Sequence, residues 1–258
     1  MDEKQEVVKK SKKHVGAIIS WIIAILIIII IGGVLYFHFS KPSAADALNS
    51  AAKTKINSVN STIVLKQSKN NSETLTYQLK GDTIHLTNRF TPANKAQEQE
   101  TWITGDKFYF LNNKKWNYMK RNTLTNTFIA NSTATYKKLF TSHNFSKLSN
   151  SAKKKFNVNY DGLTGYTLTY QGNDKDVIKG IQKAISDSDT NDSSQIKNAD
   201  VTIKINRHKE LLDYKVLYTF TNGKESTVIH VTDINKVASL TLPKEVKNAT
   251  EIATPNLR

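Results

Sequence analysis

From residue 15 to residue 39 the chain carries no Asp, Glu, Lys or Arg, and Ile22 to Ile31 is apolar throughout. About 20 apolar residues suffice to cross a hydrocarbon layer about 30 Å thick, so the pattern predicts a transmembrane helix over 15–39. It exceeds the apolar core of about 7–15 residues that marks a cleavable leader, although Ala45 and Ala47 do form a small-x-small pattern just beyond. Lys9, Lys10, Lys12 and Lys13 precede the run and only Lys41 follows closely, which places the N-terminus inside the cell. Trp21 at one end and Tyr36, Phe37 and Phe39 at the other suit the two headgroup zones. The expected organisation is a cytoplasmic tail at 1–14, a single span at 15–39 and an extracytoplasmic domain at 40–258 in the cell membrane.

Beyond the span the period changes. Pro42 to Val59 reads as a helix, with Ser43 and Asp46 at capping-box spacing and Ala45, Leu48, Ala52 and Ile56 recurring every three or four residues. A period of two then predicts half-buried strands at Ile63/Leu65, Leu75/Tyr77/Leu79 and Ile84/Leu86. Further strands are expected at Gln97 to Thr104, Lys107 to Leu111 and Lys115 to Lys120, with Gly81-Asp82, Gly105-Asp106 and Asn112-Asn113 among the turns. Thr133 to Ala152 reads as one or two short helices. Strands resume at Phe156/Val158/Tyr160 and Tyr166/Leu168/Tyr170, and Asp174 to Ser186 carries the helical stripe Val177, Ile178, Ile181 and Ile185. A polar loop, Ser186 to Ser194, leads to strands at Val201/Ile203/Ile205, Tyr214 to Phe220 and Val228 to Val231, and Pro243 ends strand character. The fold class expected is α+β: an antiparallel sheet of about ten or eleven strands, one face covered by a few helices, preceded by one transmembrane helix.

The chain has no cysteine, so no disulfide, thiolate metal site or thioether lipid anchor is available, and stability must come from an ordinary core. The net charge is +15; the first fourteen residues carry five lysines against three acidic side chains, so about +13 belongs to the rest. Outside a cell the matching anions are lipid headgroups or phosphate-rich wall polymers, and nucleic acid is not an expected partner.

The stretch Trp102-Ile103-Thr104-Gly105-Asp106-Lys107-Phe108-Tyr109, then Lys115-Trp116, resembles the strand, turn and aromatic-strand pattern of bacterial lipoprotein carriers of the LolA and LppX/LprG type. The tail is similar as well, from Val201 through Tyr214 to Thr221 and Asn222-Gly223 to Leu242-Pro243-Lys244-Glu245-Val246. The resemblance implies a curved half-barrel sheet with helices on its concave side and an apolar cavity for acyl chains between them. Many such carriers are tethered by a lipidated cysteine; here the transmembrane helix takes that role, which favours local handling of a ligand over shuttling.

Enzymatic chemistry finds no foothold. The histidines at 14, 38, 85, 143, 208 and 230 have no zinc-type pairing, and no G-x-S-x-G, P-loop or dinucleotide pattern is present. Asp187, Asp189 and Asp192 lie in a Ser-rich loop that lacks the glycine and terminal glutamate of a calcium loop. No catalytic residue, metal or cofactor is implied. The aromatic signal is stronger. Leu75, Tyr77, Leu79, Ile84, Leu86, Trp102, Trp116, Tyr166, Leu168, Tyr170, Tyr214 and Tyr218 share the apolar phase of their strands, and buried tyrosine hydroxyls need partners that an amphiphile's ester or headgroup supplies. The expected function is therefore a membrane-anchored binding protein for a lipid or acylated ligand. The rival expectation is a basic surface-interaction domain with a filled core that binds anionic wall polymer or a membrane partner.

Overall fold

A computed structural model describes residues 23, 25–33, 41–68, 70–91, 97–112, 114–123, 125–186 and 195–252. The chain divides into two units, Met1–Pro42 and Ser43–Arg258. In the first, residues 23 and 25–33 are helical and their isoleucines are exposed, Ile28 by 67%. Most of the expected 15–39 span lies outside the described residues, as does the acidic loop with Asp187, Asp189 and Asp192. No helix among the described residues is long and apolar enough to cross a membrane.

The second unit begins with α1 (Ala44–Ala51). The side chain of Ser43 caps it by accepting from the Asp46 amide at 3.1 Å, and Ala47, Leu48 and Ala51 form its buried stripe. The helix stops well short of the expected Val59. Residues 53–57 instead form a loop held by Asn235, which donates to Lys55 O and accepts from the Asn57 amide, both at 2.8 Å. Tertiary hydrogen bonds here override a helical period that residues 52 and 56 continue.

Six strands follow as a meander: β1 (Ser58–Lys66), β2 (Ser72–Lys80), β3 (Thr83–Thr91), β4 (Gln97–Ile103), β5 (Lys107–Asn112) and β6 (Lys115–Lys120). Then come α2 (Asn126–Thr141), a 3₁₀ turn at Phe145–Lys147, α3 (Asn150–Lys153), β7 (Asn157–Tyr160), β8 (Tyr166–Gly172), α4 (Lys175–Ser186), β9 (Ile196–Ile205), β10 (Leu211–Phe220), β11 (Ser226–Thr232), α5 (Lys244–Lys247) and β12 (Thr250–Glu251). The strands make one curved, open sheet in the order β12-β6-β5-β4-β3-β2-β1-β11-β10-β9-β8-β7. Every pairing is antiparallel except β12 on β6. That twelfth strand follows Pro243, where strand character was expected to end.

The registers place side chains in rows across the inner face. One row runs Leu86, Tyr77, Ser61, Val231, Tyr214, Ile203, Leu168, Val158, and all of these are buried. The next runs Asn88, Leu75, Ile63, Ile229, Val216, Val201, Tyr170. A third runs Phe90, Glu73, Leu65, Thr227, Tyr218, Ala199.

The helices cover this face unevenly. Over β8 to β10, α4 inserts Val177, Ile178, Ile181 and Ala184, all fully buried, and Gly180 lets it approach Leu148 so closely that a Cβ there would lie 2.9 Å from Leu148 Cγ. Phe145 fills the centre, its ring edge-on to Tyr214 at 5.5 Å. Over β1, β2 and β5 lies α2, whose apolar stripe is narrow: Ile129, Tyr136 and Phe140 among Asn, Ser and Thr. This helix begins seven residues before the expected Thr133, because its first two turns are polar apart from Phe128 to Ala130. Phe145→Ala should lower the stability of the full chain in non-ionic detergent by about 3–5 kcal/mol, read from the denaturant midpoint; a loss under about 1 kcal/mol would mean that the site is not the packed centre of the domain.

Candidate functional site

The thin cover of α2 leaves part of the inner face half-exposed. In the second and third rows Ile63, Leu65, Leu75, Phe90 and Ile229 are only partly buried, whereas Val216, Val201 and Tyr170, farther along the second row, are buried. The result is a largely apolar strip across β3, β2, β1 and β11, about 14 Å wide at ordinary strand spacing, interrupted on β2 and β3 by Glu73, whose carboxylate accepts from Asn88 Nδ2 at 2.8 Å.

Buried polar atoms without partners border this strip. Ser61 Oγ, Tyr77 OH, Asn88 Oδ1 and Tyr218 OH have no hydrogen-bond partner among the described residues. Each sits on the inner face, on β1, β2, β3 and β10 respectively. An unsatisfied buried polar group costs about 1–3 kcal/mol, so four around one apolar strip is the expected lining for a molecule that is largely hydrocarbon with a few polar atoms. Burial pushes the Tyr77 and Tyr218 phenols well above their ordinary pKa, which keeps both neutral and able to donate. By contrast, the Tyr214 hydroxyl donates to Ser142 O at 3.1 Å, and the Tyr170 hydroxyl accepts from the Asp174 amide at 2.9 Å. These two tyrosines are ordinary core.

Helix α2 is held over the strip's border at a few points. Phe140 stacks on Tyr77 with ring centroids 3.8 Å apart, and Phe128 meets Phe108 edge-on at 5.2 Å. Lys137 Nζ donates to Asp82 Oδ1 in the β2–β3 turn at 2.6 Å. A cavity of 580 Å³ runs along one flank of the helix, lined by Thr127, Phe128, Asn131, Ser132, Thr135 and Tyr136.

The twelve side chains expected to line a cavity are divided by the structure. Tyr77, Leu79, Ile84 and Leu86 lie fully buried in the β2–β3 part of the inner face, and Leu75 lies in the strip itself. Tyr166, Leu168, Tyr170 and Tyr214 belong to the filled half, and Tyr218 closes the third row. Trp102 and Trp116 are on the opposite face. Trp102 pairs with Tyr109 and stacks on His85 at 4.0 Å, and both tryptophans belong to a cluster with Tyr118 of β6 and with Leu240, Leu242 and Val246 of the C-terminal segment. The sequence misleads here because Trp102 and Ile103 are adjacent: both are apolar, β4 is covered on both faces, and Trp102 shares the phase of Glu98 and Glu100. The sequence reading passed over Ser61 and Asn88, although each is a polar residue in an otherwise apolar phase (Val59-Ser61-Ile63 and Ile84-Leu86-Asn88).

No family model matches the sequence, and no curated protein matches it. Among solved structures the chain is similar to LprF from Mycobacterium bovis, with 10% identity, a TM-score of 0.40, and coverage of 80% of this chain and 99% of that one. It is also similar to an uncharacterised conserved protein from Thermus thermophilus, at 9% identity and a TM-score of 0.30, with 82% and 99% covered. A third is a putative outer membrane lipoprotein-sorting protein domain from Vibrio parahaemolyticus, at 12% identity and a TM-score of 0.17, with 73% and 87% covered. At these scores no detail of chemistry transfers, and the site rests on its own geometry.

Two outcomes follow from that geometry. Tyr77→Phe should leave unfolding free energy unchanged or raise it by up to about 1 kcal/mol, while Tyr214→Phe should lower it by about 1 kcal/mol; equal losses in denaturant titrations would mean that Tyr77 OH has a partner. The hydrogen bond from Lys137, and then its charge, hold the Asp82 carboxyl below its ordinary value. The folded-state pKa is thus below the unfolded one, so the hold on α2 is complete above about pH 4 and is lost as pH falls through the lower folded value. Hydrogen exchange of α2 amides, corrected for intrinsic rates, should accelerate by at most about fivefold in acid for this exposed pair. Asp82→Asn should show the faster exchange at neutral pH and no further acid step.

Proposed function

We propose that this chain is a membrane-anchored, extracytoplasmic, non-enzymatic binding protein for a lipid or acylated amphiphile. In this reading 1–14 is the cytoplasmic tail, 15–39 the anchor and 40–258 the binding domain. The half-exposed apolar strip bordered by the unpartnered Ser61, Tyr77, Asn88 and Tyr218 atoms carries the proposal. An acyl chain laid across Ile63, Leu75 and Ile229 gains up to about 0.8 kcal/mol for each methylene it buries. The hydroxyls offer donors to an ester or glycosidic oxygen at its end, where the low dielectric makes each hydrogen bond count.

The anchor is supported by the uncharged run and by the exposed side chains at 23 and 25–31, because a helix apolar on every side is stable in hydrocarbon and costly in water. A fixed anchor favours handling an amphiphile locally over shuttling it.

The test is photo-crosslinking in a bacterial host fed a diazirine-bearing fatty acid, with the full chain purified and its labelled peptides mapped by mass spectrometry. Labels on 58–66, 72–80 and 226–232 are expected, and Leu75→Lys should remove them while leaving labels on 15–39. Labelling confined to 15–39 in the unmodified chain would mean that the domain takes up no acyl chain.

A further inference from the structure

A second cavity, of 630 Å³, lies at the opposite end of the strands from the strip. Its walls are the segment after α1, the β9–β10 turn and the loop after β11. Lys53, Lys55, Lys209 and Lys236 line it, with His208 beside them. None of the four ammonium groups has a carboxylate partner among the described residues. The single acidic side chain in the wall, Glu210, accepts from Asn206 Nδ2 at 2.7 Å, and the neighbouring Asp233 accepts from Asn60 Nδ2 at 2.7 Å on the outer face.

The frame beneath these lysines is unusually fixed. Asn235 joins the two walls through its bonds to Lys55 O and the Asn57 amide, its own amide donates to Ser58 O at 2.8 Å, and the Leu211 amide donates to Thr54 Oγ1 at 2.8 Å. Lys209, Asp233 and Asn235 have φ of 63°, 52° and 60°. Asp and Asn enter this region readily, whereas Lys209 holds it only because its surroundings enforce it, at about 1 kcal/mol or more. The fold therefore accepts both backbone strain and the mutual repulsion of four cations around one concavity, which focuses a positive potential there.

We infer that this cavity is a binding site for a phosphate-bearing anion, separate from the amphiphile strip. Lysine meets phosphate as a point charge on a flexible stem, so four lysines around one concavity suit the several charged oxygens of a phosphodiester better than one planar carboxylate. The site is independent of the acyl-chain reading: Val59 and Leu65, which mark the two ends, are six strand residues or about 20 Å apart. The phosphodiester could belong to a lipid headgroup or to a soluble polymer, and the chemistry recognised is the same.

The experiment uses the full chain in phosphatidylcholine nanodiscs at low salt, with a glycerol phosphate oligomer as probe and calorimetry as readout. The pocket variant is Lys53→Gln, Lys55→Gln, Lys209→Asn and Lys236→Gln, with Asn at 209 because it tolerates positive φ. The control removes equal charge from exposed lysines elsewhere: Lys66→Gln, Lys197→Gln, Lys215→Gln and Lys224→Gln. The pocket variant should lose about tenfold or more in affinity and the control less than about threefold, since dispersed surface charge acts only through a screened field. Equal losses in both, or no binding by the unmodified chain, would overturn the assignment. Repeating the titration with one-fifth phosphatidylglycerol in the nanodisc identifies the source. Weakened oligomer binding that depends on the four pocket lysines assigns the site to bilayer headgroups, and unchanged binding assigns it to the soluble polymer. Acyl-chain crosslinking of the pocket variant at 58–66 and 72–80 should be unaltered, which separates this site's failure from that of the strip.

Discussion

Everything on the inner face depends on the pairing of β1 with β11. Without it the chain would make two unconnected meanders, β1 to β6 and β7 to β11, each with an apolar face to bury. The register that sets Ser61 opposite Val231 and Ile63 opposite Ile229 joins them into one sheet. It also aligns the rows that run from β3 to β8. Because side chains alternate with a period of two, a slip of one residue here would turn Ile63 and Val59 outward and expose the polar phase of β1 to the core.

The joined sheet is wider than its helices can cover. Much of the helical apolar surface, from α4 and the Phe145 turn, is spent on the β8 to β10 side, where the Tyr170 and Tyr214 hydroxyls also find backbone partners. The other side receives α2, a helix rich in Ser, Thr and Asn with low intrinsic helix preference, held by a narrow stripe. One half of the domain is therefore a conventional core that fixes the fold, and the other is a partly dressed apolar surface with unsatisfied hydroxyls. That asymmetry is what the proposed amphiphile site rests on: a ligand laid on the open half would not disturb the packing of the other.

The outer face shows a different use of aromatic residues. Trp102, Tyr109, Trp116 and Tyr118 are covered by the returning C-terminal segment through Leu240, Leu242 and Val246, and β12 adds a short parallel pairing to β6. His85 joins this face through Glu100 at 2.8 Å and Gln78 at 3.1 Å. Leu240, Leu242 and Val246 thus cover this face, and β12 pairs with the edge of β6, a common remedy for strands that would otherwise offer unpaired backbone groups.

Much of this was legible from local pattern alone. Period-two alternation located eleven of the strands and the Val177 to Ile185 stripe located α4, because each signal lies within a few turns or one strand of sequence. What local pattern could not decide was which face each apolar residue serves and how well it is covered. Trp102 and Leu75 read alike in sequence, yet one packs beneath the C-terminal tail and the other borders an open strip, since both outcomes depend on segments more than a hundred residues apart. The four lysines of the basic cavity are likewise scattered from 53 to 236 and unremarkable one by one. Only the β1–β11 register and the Asn235 bonds bring them together, and that convergence is a property of the tertiary structure.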